Sequence, residues 1–443
     1  MKIIQVLNHF LPHQIAGTEV YTWALSKHLM QLGHDLVVVV PFFNEITDET
    51  YLYDGIRVIR YAEPTIQNRA VIMGKQLPEG LARFQSILEE EQPDIVQFHE
   101  YAPGSGIGLA HIQAAKQMGA KVVMTFHLAG YTCKTGNLVY KGQTICDGKI
   151  NISKCSTCFL TERGNGPLAK LLVPASNIMR NLGIDPSNWN HKLGTALATT
   201  HIIAQVKNEL KLLKNTCDAF VSLTEWYKQQ LILNQVPENQ ITLIKQGLPN
   251  AVVIKDNPVA HQAITYPIRL IFIGRISAFK GLHLLIDAFM NLPKNKISLA
   301  IYGQATEPAY EAQLKEQTKQ YENIEWKGKL PQADVYETLR QYDALCLCST
   351  FSEMSPLVIQ EAFAANVPVI ASNVFGNAEQ IVHEKNGLLF KFKDATDLSM
   401  QLTKCIESPQ LLKSLRANIP VPKSFESVAE QYHDLYSSLF NQS

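Results

Sequence analysis

Twice along this chain, short apolar runs alternate with amphipathic stretches in the order strand, loop, helix, strand. Lys2–Asn8 reads as a strand and His9–Gly17 as a loop holding Pro12 and Gly17. Thr18–Leu32 then places Val20, Trp23, Ala24 and Leu29 at helical spacing, and Gly33 ends the helix. Leu36–Val40 is continuously apolar, the pattern of a strand covered on both faces of a parallel sheet. The sum is a βαβ unit. Ile56–Arg60, Ile95–His99, Val122–His127 and Ala219–Thr224 continue the strands, with helices at Leu81–Glu91 and Gly108–Met118.

A second series follows. Arg269–Gly274, Ile297–Tyr302, Ala344–Cys348, Pro368–Ala371 and Gly387–Phe390 read as strands, and Leu282–Met290, Ala333–Gln341 and Leu357–Asn366 as helices. Pro249, Pro258 and Pro267 mark a stretch of little periodicity between the series. We therefore expect an α/β chain of two doubly wound lobes. The first spans 1–250, with an insertion at 128–215. A linker spans 251–267 and the second lobe 268–420. The tail, 421–443, forms a helix over Glu426–Phe440 that either lobe could receive. Doubly wound lobes bind ligands at the carboxyl ends of their strands, here across a shared cleft.

Composition sets limits on function. Residues of hydrophobic type make up 46% of the 443, enough for sizeable cores and too many for a disordered chain. Lys+Arg and Asp+Glu both number 40, so the whole chain is no nucleic-acid binder by charge. Within Tyr131–Asn215, however, 11 basic residues face 4 acidic ones. That excess suggests an anionic partner, a lipid headgroup or a phosphorylated acceptor, against the plainer alternative of a solvated basic surface. No apolar run reaches membrane-spanning length, and MKIIQVLNHF reads as a first strand rather than a signal peptide. The expectation is a cytoplasmic protein, with peripheral contact at the inner face of an anionic membrane as an option.

The chemistry concentrates in FSEMSP, Phe351–Pro356. Ser355 followed by Pro356 reads as an N-cap and first helical residue, and the helix start offers free amides to phosphate. Glu353 precedes it in the loop. Glu361 lies five residues past Pro356, about 7.5 Å further along the axis. FIGRISAFKG, Phe272–Gly281, sets Arg275 and Lys280 after a strand, cations suited to a departing diphosphate. IAGTE, Ile15–Glu19, opens a helix of the first lobe with Gly17, and His127 ends a strand in TFH. Each feature alone has an ordinary structural reading.

Together they resemble the retaining GT-B glycosyltransferases of glycosyltransferase family 4, also called group 1. The matching segments are AGTE, GHDLVVVVP, VQFH, TFH, GRISAFKG and SEMSPLVIQEAFAANVPVIASNVFGNAEQIVHEKNGLLF, the last carrying the E-x7-E pair Glu353 and Glu361. The resemblance covers roughly three quarters of the chain and implies a nucleotide-diphosphate-sugar donor. Arg275 and Lys280 would neutralise its diphosphate, with the helix start at Ser355 and Leu357. Glu361 would hold the ribose, Glu353 the sugar hydroxyls, Gly17 the diphosphate or sugar, and His127 the sugar near its anomeric centre. The family's double Gly is Ala16–Gly17 here, its Asn-Gly is Gln246–Gly247, and a second Gly-Gly is Phe375–Gly376. None of these departures removes a charged group.

The implied reaction retains anomeric configuration and needs no catalytic metal, the cations and helix end meeting the leaving group's charge. The acceptor would be a sugar, polysaccharide or lipid-linked glycan in surface polysaccharide or glycolipid assembly. The alternatives are a catalytically inactive scaffold of the same fold and a sugar-nucleotide epimerase.

Four of the eight cysteines fall in the insertion: Cys133, Cys146, Cys155 and Cys158, as C-x12-C-x8-C-x2-C. Reduced thiolates so spaced suit a structural zinc, stapling an insert too polar to build its own core. An iron–sulfur cluster and unligated thiols are the other readings. Beyond the cysteines, Leu168, Leu171, Leu172, Ile178 and Met179 beside Lys170 and Arg180 suggest either an acceptor-side or membrane-surface element, or a helical layer packed on the lobe.

Overall fold

The computed structural model describes residues 1–64, 76–102, 106–189, 191–249 and 265–441. Two compact units emerge, Met1–Pro249 with Phe425–Ser443, and Asn250–Ser424. Most of the expected linker, 251–264, lies outside the described residues.

In the first unit the strands are β1 (Lys2–Val6), β2 (Asp35–Phe43), β3 (Glu49–Tyr53), β4 (Ile56–Glu63), β5 (Ile95–Phe98) and β6 (Lys121–Phe126). A small hairpin, β7 (Val139–Tyr140) and β8 (Thr144–Ile145), precedes β9 (Ala219–Ser222) and β10 (Ile241–Leu243). The main sheet runs β10-β9-β6-β5-β1-β2-β4-β3, parallel throughout except for antiparallel β3 at its edge. Burial on both faces explains the apolar continuity of β2, where Leu36–Val40 are all buried. Strand order reverses at β1, which pairs β2 on one side and β5 on the other. A crevice therefore opens beyond the ends of β1 and β5.

The second unit repeats the plan with β11 (Ile268–Ile273), β12 (Ile297–Tyr302), β13 (Ile324–Gly328), β14 (Ala344–Leu347), β15 (Val369–Ser372) and β16 (Gly387–Phe390), in the order β13-β12-β11-β14-β15-β16. Its two faces carry separate cores. Ile268, Leu270 and Phe272 pack with Leu282, Leu285 and Phe289 of one helix, while Ile271 packs with Ile359 and Phe363 of another. The reversal here falls between β11 and β14.

Strands β3 and β13 carry no clean sequence signal because both are edges. Leu52 of β3 is 73% exposed, and in β13 only Ile324 is fully buried among Glu325, Trp326 and Lys327. The insertion differs from expectation in the other direction. It is not too polar to build a core: Leu160 packs with Ala169, Val173 and Ala196, and Phe159 with Ala198 and Ile202. The Ala169–Asn181 helix still turns Leu171 and Ile178 outward, 73% and 60% exposed.

The closing helix, Phe425–Asn441, belongs to the first unit. Its Tyr432 hydroxyl lies 3.0 Å from both the Tyr21 hydroxyl and Thr125 Oγ1, and Tyr436 donates to Gln97 Oε1. Phe425 meets the Tyr21 ring edge-on at 4.9 Å. These hydroxyls are buried, so each must find a partner or forfeit its hydration. Tyr432→Phe removes a hydroxyl that two buried groups share, and should destabilise the first unit by about 1–2 kcal/mol. Urea unfolding followed by a probe in that unit checks this, an unchanged midpoint being the contrary result.

Candidate active site

In the second unit the chain leaves β11 through Gly274 and Arg275, makes a short turn at Ala278–Lys280, and enters the Leu282–Phe289 helix. Gly281 sits at φ +67°, and a Cβ there would lie 1.9 Å from the Cys348 carbonyl oxygen. Only glycine lets this turn press against the end of β14, and that contact delivers Lys280 to Glu353. The ammonium lies 2.6 Å from Glu353 Oε1, and Ser349 Oγ donates to the same oxygen at 2.6 Å. Glu353 is only 7% exposed, so its carboxylate is fixed by partners rather than by water. Arg275 is exposed and, among the described residues, forms no hydrogen bond or ion pair.

The Glu353 backbone is held from the opposite side. Gly376 N donates to the Glu353 carbonyl at 3.1 Å, and a Cβ on Gly376 would fall 2.1 Å from the Met354 oxygen. Ser355 does not cap the next helix as its sequence suggested. The helix spans Leu357–Ala364, and Pro356 occupies the N-cap with extended backbone (φ −63°, ψ 119°) and no side-chain bond. Proline disfavours helical geometry at the residue before it, which pushes Ser355 outside. The free amides therefore begin at Leu357. Further along, Glu361 accepts from Gln332 Nε2 at 2.5 Å; burial raises its carboxyl pKa and that hydrogen bond lowers it, with a net upward shift.

In the first unit Gly17 opens the Gly17–Gln31 helix behind extended Ala16, with no atom within 4 Å of where a Cβ would stand. Two residues on, buried Glu19 accepts from Gln14 Nε2 at 2.6 Å, and burial raises its pKa. His127 follows β6 and lies against a neighbour the sequence did not single out. His99, just after β5, brings Nδ1 within 3.0 Å of His127 Nε2, and its own Nε2 lies 2.5 Å from Gln5 Oε1. With Gln5 presenting oxygen, His99 carries its proton on Nε2 and accepts at Nδ1 from His127. His127 Nδ1 is left as an acceptor. The Tyr21 ring meets His127 edge-on at 4.8 Å. Burial lowers both imidazoles, His127 to about 3, so both are neutral near pH 7.

Cys133, Cys146, Cys155 and Cys158 line one cavity. Yet among the described residues no three His, Cys, Asp or Glu form a group able to hold a metal ion. Three of the thiols have local partners. Lys141 N donates to Cys158 Sγ at 3.1 Å, Asn151 N to Cys155 Sγ at 3.4 Å, and Thr135 Oγ1 lies 3.2 Å from Cys133 Sγ. Burial pushes the Cys158 thiol up to about 12 and raises those of Cys146 and Cys155. The zinc staple expected from the spacing is thus not supported by this geometry, which gives a thiol-lined pocket.

Two family models match the chain: glycosyltransferase family 4 over residues 15–144, and glycosyl transferases group 1 over residues 254–420. The chain belongs to the GT-B glycosyltransferases. This GT-B chain is 25% identical over 175 residues to a glycogen synthase of Mycobacterium tuberculosis, covering 38% of this chain and 41% of that one. It is 23% identical over 217 residues to a putative colanic acid biosynthesis glycosyltransferase of Escherichia coli, covering 47% and 52%. The chain thus spans about half or less of the length of these curated relatives. Among solved structures, the fold matches Anabaena HepE in complex with UDP and glucose at TM-score 0.63 and 14% identity, over 99% and 100% of the two chains. A sucrose-phosphate synthase from Thermosynechococcus elongatus matches at TM-score 0.67 and 17% identity, over the whole of both.

The paired histidines should make the first unit of this GT-B chain sensitive to acid. Their folded pKa values lie below the ordinary 6.5. The unfolded state therefore binds more protons as pH falls below that value, and stability is lost by at most about 1.4 kcal/mol per ring per pH unit. Glu19 and Glu100, whose folded pKa values are raised, act in the opposite sense at lower pH. Comparing His127→Gln with the native protein isolates the ring: urea midpoints of the variant should fall less between pH 7 and 5. Equal falls would contradict the assignment.

A Gly376→Ala change should shift the Glu353 loop, since its new methyl meets backbone oxygens rather than a flexible side chain. We expect a loss of about 1–3 kcal/mol in the second unit, checked by its unfolding midpoint.

Proposed function

We propose that this protein transfers a glycosyl group from a nucleoside-diphosphate sugar to an acceptor hydroxyl with retention of anomeric configuration. The observation carrying the reading is the arrangement around Glu353. A buried carboxylate is held by Lys280 and Ser349, with exposed Arg275 and the amide start of the Leu357–Ala364 helix on the same loops. Glu353 binds hydroxyls of the donor sugar. Lys280, with three N–H donors, serves Glu353 and the diphosphate together, while Arg275 turns onto the phosphates. These cations and the helix end meet the charge of the departing diphosphate, so no divalent cation is required for that step. Glu361 exchanges its Gln332 partner for ribose hydroxyls. His127, held neutral with Nδ1 open, accepts a hydrogen bond from a sugar hydroxyl rather than acting as an acid.

As the anomeric C–O bond breaks, the sugar gains oxocarbenium character and the diphosphate takes the electron pair. The acceptor oxygen attacks from the face the diphosphate leaves, and its proton passes to a phosphate oxygen. UDP-glucose in a complex of Anabaena HepE supports a nucleotide-sugar donor. The colanic acid biosynthesis relative supports a role in polysaccharide assembly, for which the proposed acceptor is a sugar, polysaccharide or lipid-linked glycan. The outward Leu171 and Ile178, in a stretch of net basic charge, support contact with an anionic membrane surface where such an acceptor resides.

Thermal shifts with UDP, GDP, ADP and dTDP test the donor site. One diphosphate at ~100 times its dissociation constant should add ~2.7 kcal/mol of stability, and Glu361→Ala should abolish the gain. No stabilisation by any of the four would overturn the reading. Proton NMR of the product should show the donor's anomeric configuration, and inversion would exclude front-face displacement.

A further inference from the structure

The insertion contains a second feature that the transfer reaction does not use. A cavity of 380 Å³ lies between the Thr199–Thr216 helix, the loop after Cys146, and the end of the Glu225–Leu233 helix. Four lysines line it: Lys149 from the loop, and Lys207, Lys211 and Lys214 from the long helix. The last three recur at i, i+4 and i+7, one helical face. No Asp or Glu lines the cavity.

Lys214 has a structural task, its ammonium donating to the Gln235 carbonyl at 3.2 Å. The other three do not: among the described residues, no ion pair engages the ammonium of Lys149, Lys207 or Lys211. The acidic residue of that helix, Glu209, lies on the opposite face and accepts from Gln205 at 2.8 Å. The loop's acidic residue, Asp147, is paired with Lys154. Four like charges around one small cavity repel each other, and among the described residues no carboxylate lines the cavity to offset them. The wall is nevertheless built. Asn234 Oδ1 accepts from Ile150 N at 2.9 Å, and its amide donates to Gly148 O at 2.9 Å, fixing the loop that presents Lys149.

The position separates this cavity from the His127 edge of the first unit's sheet. Both helices reach it near their carboxyl ends, just before β9 and β10 begin. Because the sheet is parallel there, that is the amino edge of the strands, opposite the edge where His127 follows β6.

We propose that this cavity binds a phosphate-class anion, either a free phosphorylated molecule or the phosphate of a lipid headgroup, through residues other than those proposed for the donor. A phosphate dianion bonds to Lys149, Lys207 and Lys211, and the remaining volume takes part of the group it esterifies. The assignment does not rest on the transferase reading, because its residues and its probes are different.

The test uses the full chain with two probes. Inorganic phosphate is titrated by calorimetry, and phosphatidylcholine vesicles with and without phosphatidylglycerol are used for co-sedimentation. Lys207→Glu/Lys211→Glu is compared with Arg275→Ala, and since both lysines are exposed the double variant should fold. The native protein and Arg275→Ala should bind at least one probe, and the double variant should bind it at least about tenfold more weakly. Phosphate binding identifies a soluble anion, and binding only to the phosphatidylglycerol vesicles identifies a headgroup. No binding of either probe by the native protein, or undiminished binding by the double variant, overturns the proposal.

Discussion

One carboxylate organises the end of the second unit proposed to receive the donor. Glu353 is buried, and a buried charge is tolerated only when its partners are in place. Lys280 and Ser349 supply them from the ends of β11 and β14, the two strands flanking the reversal of order. This couples the main parts of the proposed donor site. The turn that carries Lys280 also carries Arg275, and the loop that carries Glu353 runs into the helix bearing Glu361. Gly281 and Gly376 are the steric conditions for that geometry, since each sits where any side chain would strike a carbonyl oxygen.

The first unit uses neutral hydrogen bonds for the same purpose. Gln5, His99 and His127 form a row across the ends of β1, β5 and β6, and Tyr21, Thr125, Tyr432, Gln97 and Tyr436 form a second polar set nearby. Low dielectric makes such chains stiff when every member is satisfied. It also keeps His127 uncharged, as the proposed hydrogen bond from a sugar hydroxyl requires.

The parallel strands were legible because burial on both faces leaves an apolar run, and the helices because one face repeats every three to four residues. Glu353, Glu361, Arg275 and Lys280 were legible through their motif frame. Other features were not. The His99–His127 contact joins residues 28 apart that only strand pairing brings together. The crowding at Gly376 depends on a carbonyl more than 20 positions away in sequence. Ser355 misled because a Ser-Pro pair is a valid helix start locally, and the loop's path made Pro356 the boundary instead. The cysteine spacing records which thiols share a pocket, while ligation depends on where each sulfur points, which spacing does not give. The closing helix could not be placed from its own pattern, as its apolar face would suit either unit; buried tyrosine hydroxyls decide for the first.

Hydrogen exchange with and without a saturating nucleoside diphosphate tests the central claim most directly, because it reports where the ligand lies. Protection should concentrate in 274–281 and 349–361, the turn bearing Arg275 and Lys280 and the loop and helix bearing Glu353 and Glu361. Protection confined to other segments would contradict the assignment of the donor diphosphate to Glu353 and its neighbours.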